Sequence, residues 1–399
     1  MGRGFGVLWS ASSLSNLADG LAFISMPLLA ASLTDDPRLV AGLASMYALV
    51  RLLVALPIGV WVDRLDRRSL MVGANLIRGF ALLVLAVTIE LDLAGLVTLY
   101  AVMAVVGTLE SLADNSAVAI LPSLVKKEHL DSANSRITSV QLIADEFIGP
   151  PLGGLLFGLG AALPIFAMGG LWAGAGAIAL ALPILRVSRD SAELPAQRNS
   201  VWREAGEGIR WLAQNKTVGT LALLGALASV GYMLAFSILV LFAEHNLGLT
   251  GTGYGLLLSF SALGGLVGSF TAPKIRRALG YRWAITASLF LGAVSLAGLS
   301  MTTSAIVAGA LLALYIFHAV VWGICSVSLR QQLVPDHLMG RVGGAARVLG
   351  LSGLALGAAL GGVLGAITLT VPIVVGAAVL AACCLVAALT LGSEAEIAR

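Results

Sequence analysis

The sequence predicts an all-α membrane protein with 12 transmembrane helices, arranged as two pseudo-symmetric six-helix bundles. Of its 399 residues, 58% are hydrophobic and only 11% are charged, whereas roughly a quarter of the residues in a soluble domain are charged. The mean hydropathy is +0.96. The apolar residues form long, nearly charge-free runs, and each run is long enough to cross about 30 Å of hydrocarbon as a helix. Residue patterns of the first half also recur in the second half.

The spans are taken from these apolar runs. We expect them at 5–33, 39–61, 69–89, 96–121, 133–158, 162–185, 217–243, 252–273, 284–301, 305–329, 341–366 and 372–391. The runs are continuous rather than alternating, which favours helices over a β-barrel. The first run is longer than the apolar core of a secretory signal, so no cleavable signal peptide is expected.

A polar connection divides the chain. We predict an N-terminal six-helix bundle at 1–185, a cytoplasmic linker at 186–216 and a C-terminal six-helix bundle at 217–399. The linker ends in a stretch that alternates aromatic and aliphatic residues with charged ones, from Trp202 to Gln214. Such a stretch suits an amphipathic helix lying on a membrane surface.

The positions of lysine and arginine predict the orientation. If the N-terminus is cytoplasmic, nearly all of them fall in cytoplasmic loops. Arg38 lies on the outer side, and Arg51 and Arg78 lie within spans. Because cytoplasmic loops are enriched in lysine and arginine, both termini are predicted to be cytoplasmic, in a bacterial inner membrane.

Two sets of residues recur at nearly the same offset, which indicates duplication of a six-helix unit. Three glycines of span 5 recur in span 11, 208 residues later: Gly149, Gly153 and Gly154 correspond to Gly357, Gly361 and Gly362. Three residues between spans 2 and 3 recur between spans 8 and 9, 209 residues later: Gly59, Arg67 and Arg68 correspond to Gly268, Arg276 and Arg277.

The segment after span 2 has a recognisable pattern of glycine, acid and arginines: Gly59, Asp63, Arg64, Arg67 and Arg68. This pattern resembles the cytoplasmic signature of the major facilitator superfamily. The resemblance implies a gating role, in which Asp63 lies at the start of span 11 beside Arg341, where the helix dipole favours an anion. The alternative is a basic turn that serves topology alone. The second-half copy has Ala272 and Pro273 in place of the acid and the arginine that follows it.

Span 5 contains a glycine–proline string made of Gly149, Pro150, Gly153 and Gly154. It resembles the signature of the exporters of that superfamily, although Asp145 replaces a further glycine of the pattern. Such glycines form a flat face for close helix packing, and Pro150 permits a bend. With shorter motifs at 16–19, 121–125 and 133–134, the whole chain resembles the branch that includes macrolide-efflux proteins and the enterobactin exporter.

Several ionisable residues lie at membrane depth in the first half. Each would cost about 2.5–3.5 kcal/mol facing lipid, so they are expected to face the bundle interior, a cavity or one another. The proton-coupling candidates are Asp19, Arg51, Glu110, Asp114 and Asp145. A buried carboxylate favours its protonated form and a nearby arginine favours the charged form, so a moving pair can carry a proton. We expect Asp19 or Glu110 to carry it, with Arg51 as partner; static ion pairing is the alternative, above all for Arg78 and Asp114.

The second half has few charges at membrane depth but carries aromatic residues in spans 7 and 10. Candidate substrate-cavity residues are Tyr232, Met233, Phe236, Tyr315, His318 and Trp322. Methionine and aromatic side chains form an adaptable apolar wall. The alternative is that they are ordinary core residues.

No catalytic motif, metal-ligand spacing or nucleotide-binding loop is found, so the sequence predicts neither an enzyme nor a cofactor. The resemblance implies proton-coupled efflux of small amphipathic compounds, such as drugs or antibiotics, by alternating access at a site between the halves. The alternatives are a dedicated exporter of an endogenous metabolite such as a siderophore, uptake instead of efflux, or a lipid scramblase. The expected partners are a small-molecule substrate, protons and membrane lipids, with no nucleic acid, and the chain is expected to be a monomer.

Overall fold

The computed structural model describes residues 2–183, 201–335 and 338–392, and regular structure there is helical. The α-helices of the first half are α1 (Arg3–Leu33), α2 (Pro37–Arg64), α3 (Arg67–Glu90), α4 (Leu96–Leu124), α5 (Leu130–Leu142), α6 (Gly149–Leu159) and α7 (Ala162–Ala179). Those that follow are α8 (Val201–Gln214), α9 (Lys216–Phe236), α10 (Leu239–His245), α11 (Gly251–Met301), α12 (Ala305–Leu333), α13 (Met339–Gly365) and α14 (Val371–Thr390). A 3-10 turn at Lys127–His129 and a π-helical segment at Ile143–Ile148 flank α5.

Eleven helical stretches within the described residues are long and apolar enough to cross a membrane, and one of them contains two spans. Helix α11 has 51 residues, or about 76 Å at 1.5 Å per residue, which is far longer than one crossing requires. It breaks at Gly280, where φ is 72° and ψ is 169°. This left-handed backbone is readily adopted only by glycine. The break falls between the predicted spans 252–273 and 284–301, so the predicted all-α fold of 12 spans is confirmed.

Some predicted spans are built from more than one helix. Span 5 consists of α5, the π-helical segment and α6, and span 7 consists of α9 and α10. The π-helical segment immediately precedes Pro150 and Pro151, which have no N–H to donate to the preceding turn. The amide of Gly149 donates instead to the carbonyl of Ala144, five residues back, and this wider bond defines the π-helix. Helix α7 ends at Ala179, short of the predicted boundary at 185.

The chain forms two compact units. The first unit contains Met1–Thr34, Val50–Arg198 and Thr250–Ser259, and the second contains Asp35–Leu49, Asn199–Leu249 and Phe260–Arg399. The start of α2 belongs to the second unit and the start of α11 to the first, and the predicted domain boundaries stay a prediction. The linker boundaries at 186 and 216 stay a prediction, since 184–200 lie outside the described residues.

Span 5 packs closely within the first unit through its glycines. A Cβ added to Gly149 would lie 2.5 Å from the backbone of Gly20 on α1, and one on Gly154 would lie 2.8 Å from Cα of Gly255 on α11. Gly153 lies against the Leu21 carbonyl, where a Cβ would approach to 3.1 Å. Larger side chains at these positions would force the backbones apart.

The second unit repeats this packing with the equivalent glycines of span 11. A Cβ on Gly357 would lie 2.5 Å from the Val230 carbonyl oxygen on α9, and one on Gly362 would lie 2.9 Å from Cα of Arg38 on α2. In both units the first glycine therefore contacts the first helix of its half. The glycine five residues later contacts the start of a helix from the other half of the sequence. The internal repeat read from the sequence is thus a repeat of structure.

Helix α8 covers the predicted amphipathic stretch, and protein buries part of its apolar face. Leu212 is buried in a cluster with Val218 of α9 and Val342 of α13. Gly208 lies directly against the Arg341 carbonyl. Ile209, by contrast, is exposed. The predicted surface helix is therefore docked on α13, and only part of its apolar face is open to lipid.

Candidate functional site

Arg78 of α3 is the centre of a polar network in the first unit. Its side chain is fully buried, and its Nη1 lies 3.2 Å from Oδ1 of Asp19 on α1. Its Nη2 donates to Ser15 Oγ at 2.9 Å and to Asn75 Oδ1 at 2.7 Å. The guanidinium lies 4.5 Å from the centre of the Trp172 ring of α7. A carboxylate, two neutral acceptors and an aromatic face thus compensate the buried charge.

A second ion pair joins α2 to α4. Arg51 Nη1 lies 3.2 Å from Glu110 Oε1, and the two side chains are 26% and 12% exposed. The pair is thus more accessible than that of Arg78, but it is still largely removed from solvent. We expected Arg51 to pair with either Asp19 or Glu110, and in the structure it pairs with Glu110.

The carboxylates of the first unit lie near one another. Asp19 interacts electrostatically with Arg78 and also with Glu110, Asp114 and Asp145. Asp145 lies in the π-helical segment, where its Cα would be 2.9 Å from a Cβ on Gly20. The wide turn thus places an acid directly beside the residue that follows Asp19. Asp114, one turn beyond Glu110 on α4, is exposed.

The Arg78 network was only partly visible in the sequence. Static ion pairing was the alternative interpretation for Arg78, and Arg51 was the expected partner of Asp19 or Glu110; the pairing of Arg78 with Asp19 was not predicted. Ser15, Asn75 and Trp172 gave no signal, because a serine, an asparagine and a tryptophan in apolar helices are usual packing residues. The i, i+3 spacing of Asn75 and Arg78 on α3 was the available clue.

In the second unit, four of the six predicted cavity residues form a continuous aromatic cluster. The ring centres of Tyr232 and Phe236 are 4.4 Å apart, and those of Phe236 and Tyr315 are 5.3 Å apart. His318 meets Tyr315 edge-on at 4.7 Å. These offset and edge contacts are the arrangements that aromatic rings prefer. Tyr232 and Phe236 remain partly accessible, so one side of the cluster is open.

His318 is 2% exposed, and within the described residues neither of its ring nitrogens has a hydrogen-bond partner. The ring lies flat against Gly292, since any Cβ there would collide with it. Met233 belongs to the same turn as Tyr232, but its Cβ faces Gly357 of α13. Trp322 lies one turn beyond His318 and is partly buried. A neutral imidazole whose two nitrogens have no hydrogen-bond partner can donate one hydrogen bond and accept another.

The predicted gating segment is a tight connection between α2 and α3. Arg67 donates to the Ala119 carbonyl at 2.9 Å, Arg68 donates to the Leu180 carbonyl, and Arg64 is exposed. Gly59 and Asp63 belong to α2, and the surroundings of both residues lie outside what the structure describes. In the second unit, Arg341 Nη1 lies 2.7 Å from Glu207 Oε2 of α8. The arginines thus tie the connection to α4 and the end of α7, and Arg341 binds the linker helix.

Twelve membrane spans in two duplicated units, with arginine–carboxylate pairs at membrane depth, define the class of multi-pass membrane transporters. The chain belongs to the Major Facilitator Superfamily, whose family model matches residues 8–358. The family and the relatives described below are transporters rather than enzymes.

Similar proteins include exporters found in enterobacteria. The enterobactin exporter EntS of Salmonella typhimurium is 26% identical over 303 residues, which cover 75% of this chain and 70% of that protein. EntS of Shigella boydii is 25% identical over 355 residues, covering 89% of this chain and 83% of that protein.

Solved structures share the fold at lower identity. A bacterial homologue of the iron transporter ferroportin in the inward-facing state has a TM-score of 0.75 and 19% identity, covering 96% of this chain and 98% of that one. The nucleoside transporter NupG has a TM-score of 0.75 and 14% identity, covering 97% and 98%. These likenesses concern the fold alone.

Proposed function

We propose that the protein is a secondary active exporter that couples proton entry to the exit of a small amphipathic compound by alternating access. The observation that carries the proposal is the pair of arginine–carboxylate contacts in the first unit, Arg78 with Asp19 and Arg51 with Glu110. Such pairs are expensive at membrane depth, where ionisable residues commonly mark ion pathways.

The proposed proton step is an exchange of partners. While arginine holds the carboxylate, the charged form is favoured; when the arginine moves away, burial favours the protonated form. Asp19 is the first candidate for the proton carrier because it interacts electrostatically with three other acidic residues, Glu110, Asp114 and Asp145. Because one arginine and three acidic residues interact with Asp19, a movement of the arginine would change the balance between its charged and protonated forms. Glu110, whose arginine is more accessible, is the second candidate.

The aromatic cluster of the second unit is the proposed substrate contact. Tyr232 and Phe236 offer ring faces, and Tyr315 lies behind them. His318 adds two ring nitrogens that have no hydrogen-bond partner among the described residues. Such a surface suits a compound with aromatic or apolar parts and a few polar groups.

The localisation and orientation follow from the sequence. We propose a monomer in the bacterial cytoplasmic membrane with both termini in the cytoplasm, because this orientation places nearly all lysines and arginines in cytoplasmic loops. The relatives, which are named as exporters, support the outward direction.

The proposal is tested by efflux from cells that express the protein. Accumulation of a panel of dyes and antibiotics would be measured with and without a protonophore, for the wild type and for Asp19→Asn and Glu110→Gln. We expect the protonophore to abolish efflux, and at least one of the two variants to lose it while reaching the membrane in normal amount. Asp92→Asn is the matched control, since Asp92 lies in the loop between α3 and α4 with φ of 55°, a backbone that asparagine also tolerates. Wild-type efflux in both test variants would contradict the proton-carrier assignment.

The second candidate function is export of one endogenous metabolite, and the EntS relatives favour a siderophore. Export of enterobactin would be compared with export of the dye panel in the same strain. Transport of enterobactin without any dye would establish the dedicated exporter, and a broad dye spectrum would exclude it. Lipid movement in proteoliposomes without a pH gradient would indicate a scramblase instead.

A further inference from the structure

A cavity of about 420 Å³ lies in the second unit where the two segments of α11 meet α12. Its polar lining comes from five side chains: Arg276, Tyr281, Ser328, Gln331 and Gln332. Those from α12 recur at helical spacing, so they share one face of that helix. The cavity is separate from the carboxylate cluster and from the aromatic cluster of the proposed transport site.

The cavity is held in shape by contacts among its own lining residues. Tyr281 is 5% exposed, and its hydroxyl accepts a hydrogen bond of 3.0 Å from Gln332 Nε2. The Arg276 guanidinium lies 5.2 Å from the centre of the Tyr281 ring. The turn at Gly280 brings Tyr281 back beside Arg276. The cation is therefore positioned by an aromatic ring, and its side chain forms part of the cavity lining.

No carboxylate of the described residues makes an ion pair with Arg276. The sequence has no aspartate or glutamate between Glu244 and Asp336, so neither α11 nor α12 contributes a carboxylate to the cavity. In the repeated motif, the position of Asp63 in the first half corresponds to Ala272, which is buried and forms part of the cavity wall. The duplication thus retained the arginine and lost the acid, which leaves a cationic cavity.

We propose that this cavity binds a phosphate-bearing anion. The guanidinium supplies a fork of N–H donors, which matches phosphate geometry, while the amide groups of Gln331 and Gln332 and the Ser328 hydroxyl supply further donors. A phosphate group carries several acceptor oxygens, so it can accept from the guanidinium and from these neutral donors at the same time. The cavity lies at the lysine- and arginine-rich ends of the spans, where basic pockets between membrane helices bind lipid headgroups.

Two sources share this chemistry, the headgroup of an anionic lipid and a soluble phosphate compound, and the test has an arm for each. In the first arm, native mass spectrometry would measure binding of phosphatidylglycerol, with phosphatidylcholine as reference, to the purified full chain in detergent. In the second arm, the thermal midpoint would be measured with inorganic phosphate, against chloride at equal ionic strength.

The decisive variant is Arg276→Gln, and its matched control is Arg277→Gln. Arg277 has the same charge, is the next residue along the chain and is exposed, but it does not line the cavity. Loss of a charged hydrogen-bond partner predicts about tenfold weaker binding in Arg276→Gln, and the control should stay within about twofold. Gln332→Ala gives a second variant at an exposed position, and it should weaken binding less.

The outcomes separate the sources. A selective loss of phosphatidylglycerol binding in Arg276→Gln assigns the cavity to a lipid headgroup, and a selective loss of phosphate stabilisation alone assigns it to a soluble compound. Equal losses in both arginine variants would indicate general surface attraction and overturn the proposal. No loss in either variant, in both arms, would also overturn it. Because all readouts are of binding, they are independent of whether the protein exports anything.

Discussion

The contact between Asp19 and Arg78 gives the sharpest quantitative expectation. Two substitutions remove its charges one at a time, Asp19→Asn and Arg78→Gln, and the double variant removes both. Asparagine keeps the shape of the aspartate, and glutamine keeps one amide donor near Ser15 and Asn75. The three variants with the wild type form a double-mutant cycle, which isolates the energy of the pair.

The magnitude follows from burial. In Asp19→Asn the Arg78 charge stays fully buried and loses its carboxylate partner, so that neutral oxygens and the Trp172 ring remain in contact with it. Breaking a buried ion pair costs about 3–5 kcal/mol. We expect the lower end, about 3 kcal/mol, because the Asp19 side chain is 17% exposed and water can partly replace it. Arg78→Gln should cost a similar amount, since it breaks two further charged hydrogen bonds and the contact with Trp172.

The double variant should lose less stability than the sum of the two single variants, by about 1–3 kcal/mol, because it leaves no unpaired charge. The assay is equilibrium unfolding of purified protein in mixed micelles, followed by tryptophan fluorescence. Additive losses within about 0.5 kcal/mol would refute the reasoning, because they would show that the two charges do not stabilise each other. Transport by the double variant, measured after the same protein is reconstituted into proteoliposomes, should lack dependence on the pH gradient.

Three further predictions concern glycines, each measured by the thermal midpoint of the purified variant unless stated. Gly149→Ala should destabilise the protein by about 1–3 kcal/mol, because the new Cβ would meet the backbone of α1, which cannot move aside. The control Gly170→Ala places its Cβ where no atom lies within 4 Å, so it should be neutral or gain up to about 1 kcal/mol. Equal effects of the two substitutions would contradict the packing argument. Gly280→Ala should cost about 1–2 kcal/mol because of its φ of 72°; no loss would show that the turn relaxes easily. Gly292→Ala should displace the His318 ring and lower the rate of export at normal protein levels, and unchanged export would contradict a role for that ring.

The topology was predictable because the cost of burying charge in lipid governs nearly every residue of the spans. Even the two halves of α11 could be separated, since lysine and arginine cluster around the turn at Gly280. The edges were less predictable. Pro150 and Pro151 indicated a bend, but the π-helical segment before them depends on which carbonyls the missing donors leave open.

The site was predictable in its residue types and only partly in its pairing. Asp19 and Glu110 stood out because carboxylates in apolar runs are rare, but the sequence does not say which arginine is nearest in space. Arg78 reaches Asp19 because α1 and α3 both pack against α7, which is a tertiary arrangement that the sequence does not state. The docking of α8 was hidden for a similar reason: an amphipathic face looks the same whether lipid or α13 covers it.

Each unit includes a short segment from the other half of the sequence, and this affects what happens when the chain is divided into two fragments. The first unit includes residues 250–259, and the second includes 35–49, so neither unit is encoded by an uninterrupted stretch. A fragment that ends in the linker would lack the start of α11, against which Gly154 packs. The complementary fragment would lack the start of α2, against which Gly362 packs. Each fragment produced alone should therefore be degraded. The two produced together should protect each other, because each carries ten or more residues that complete its counterpart.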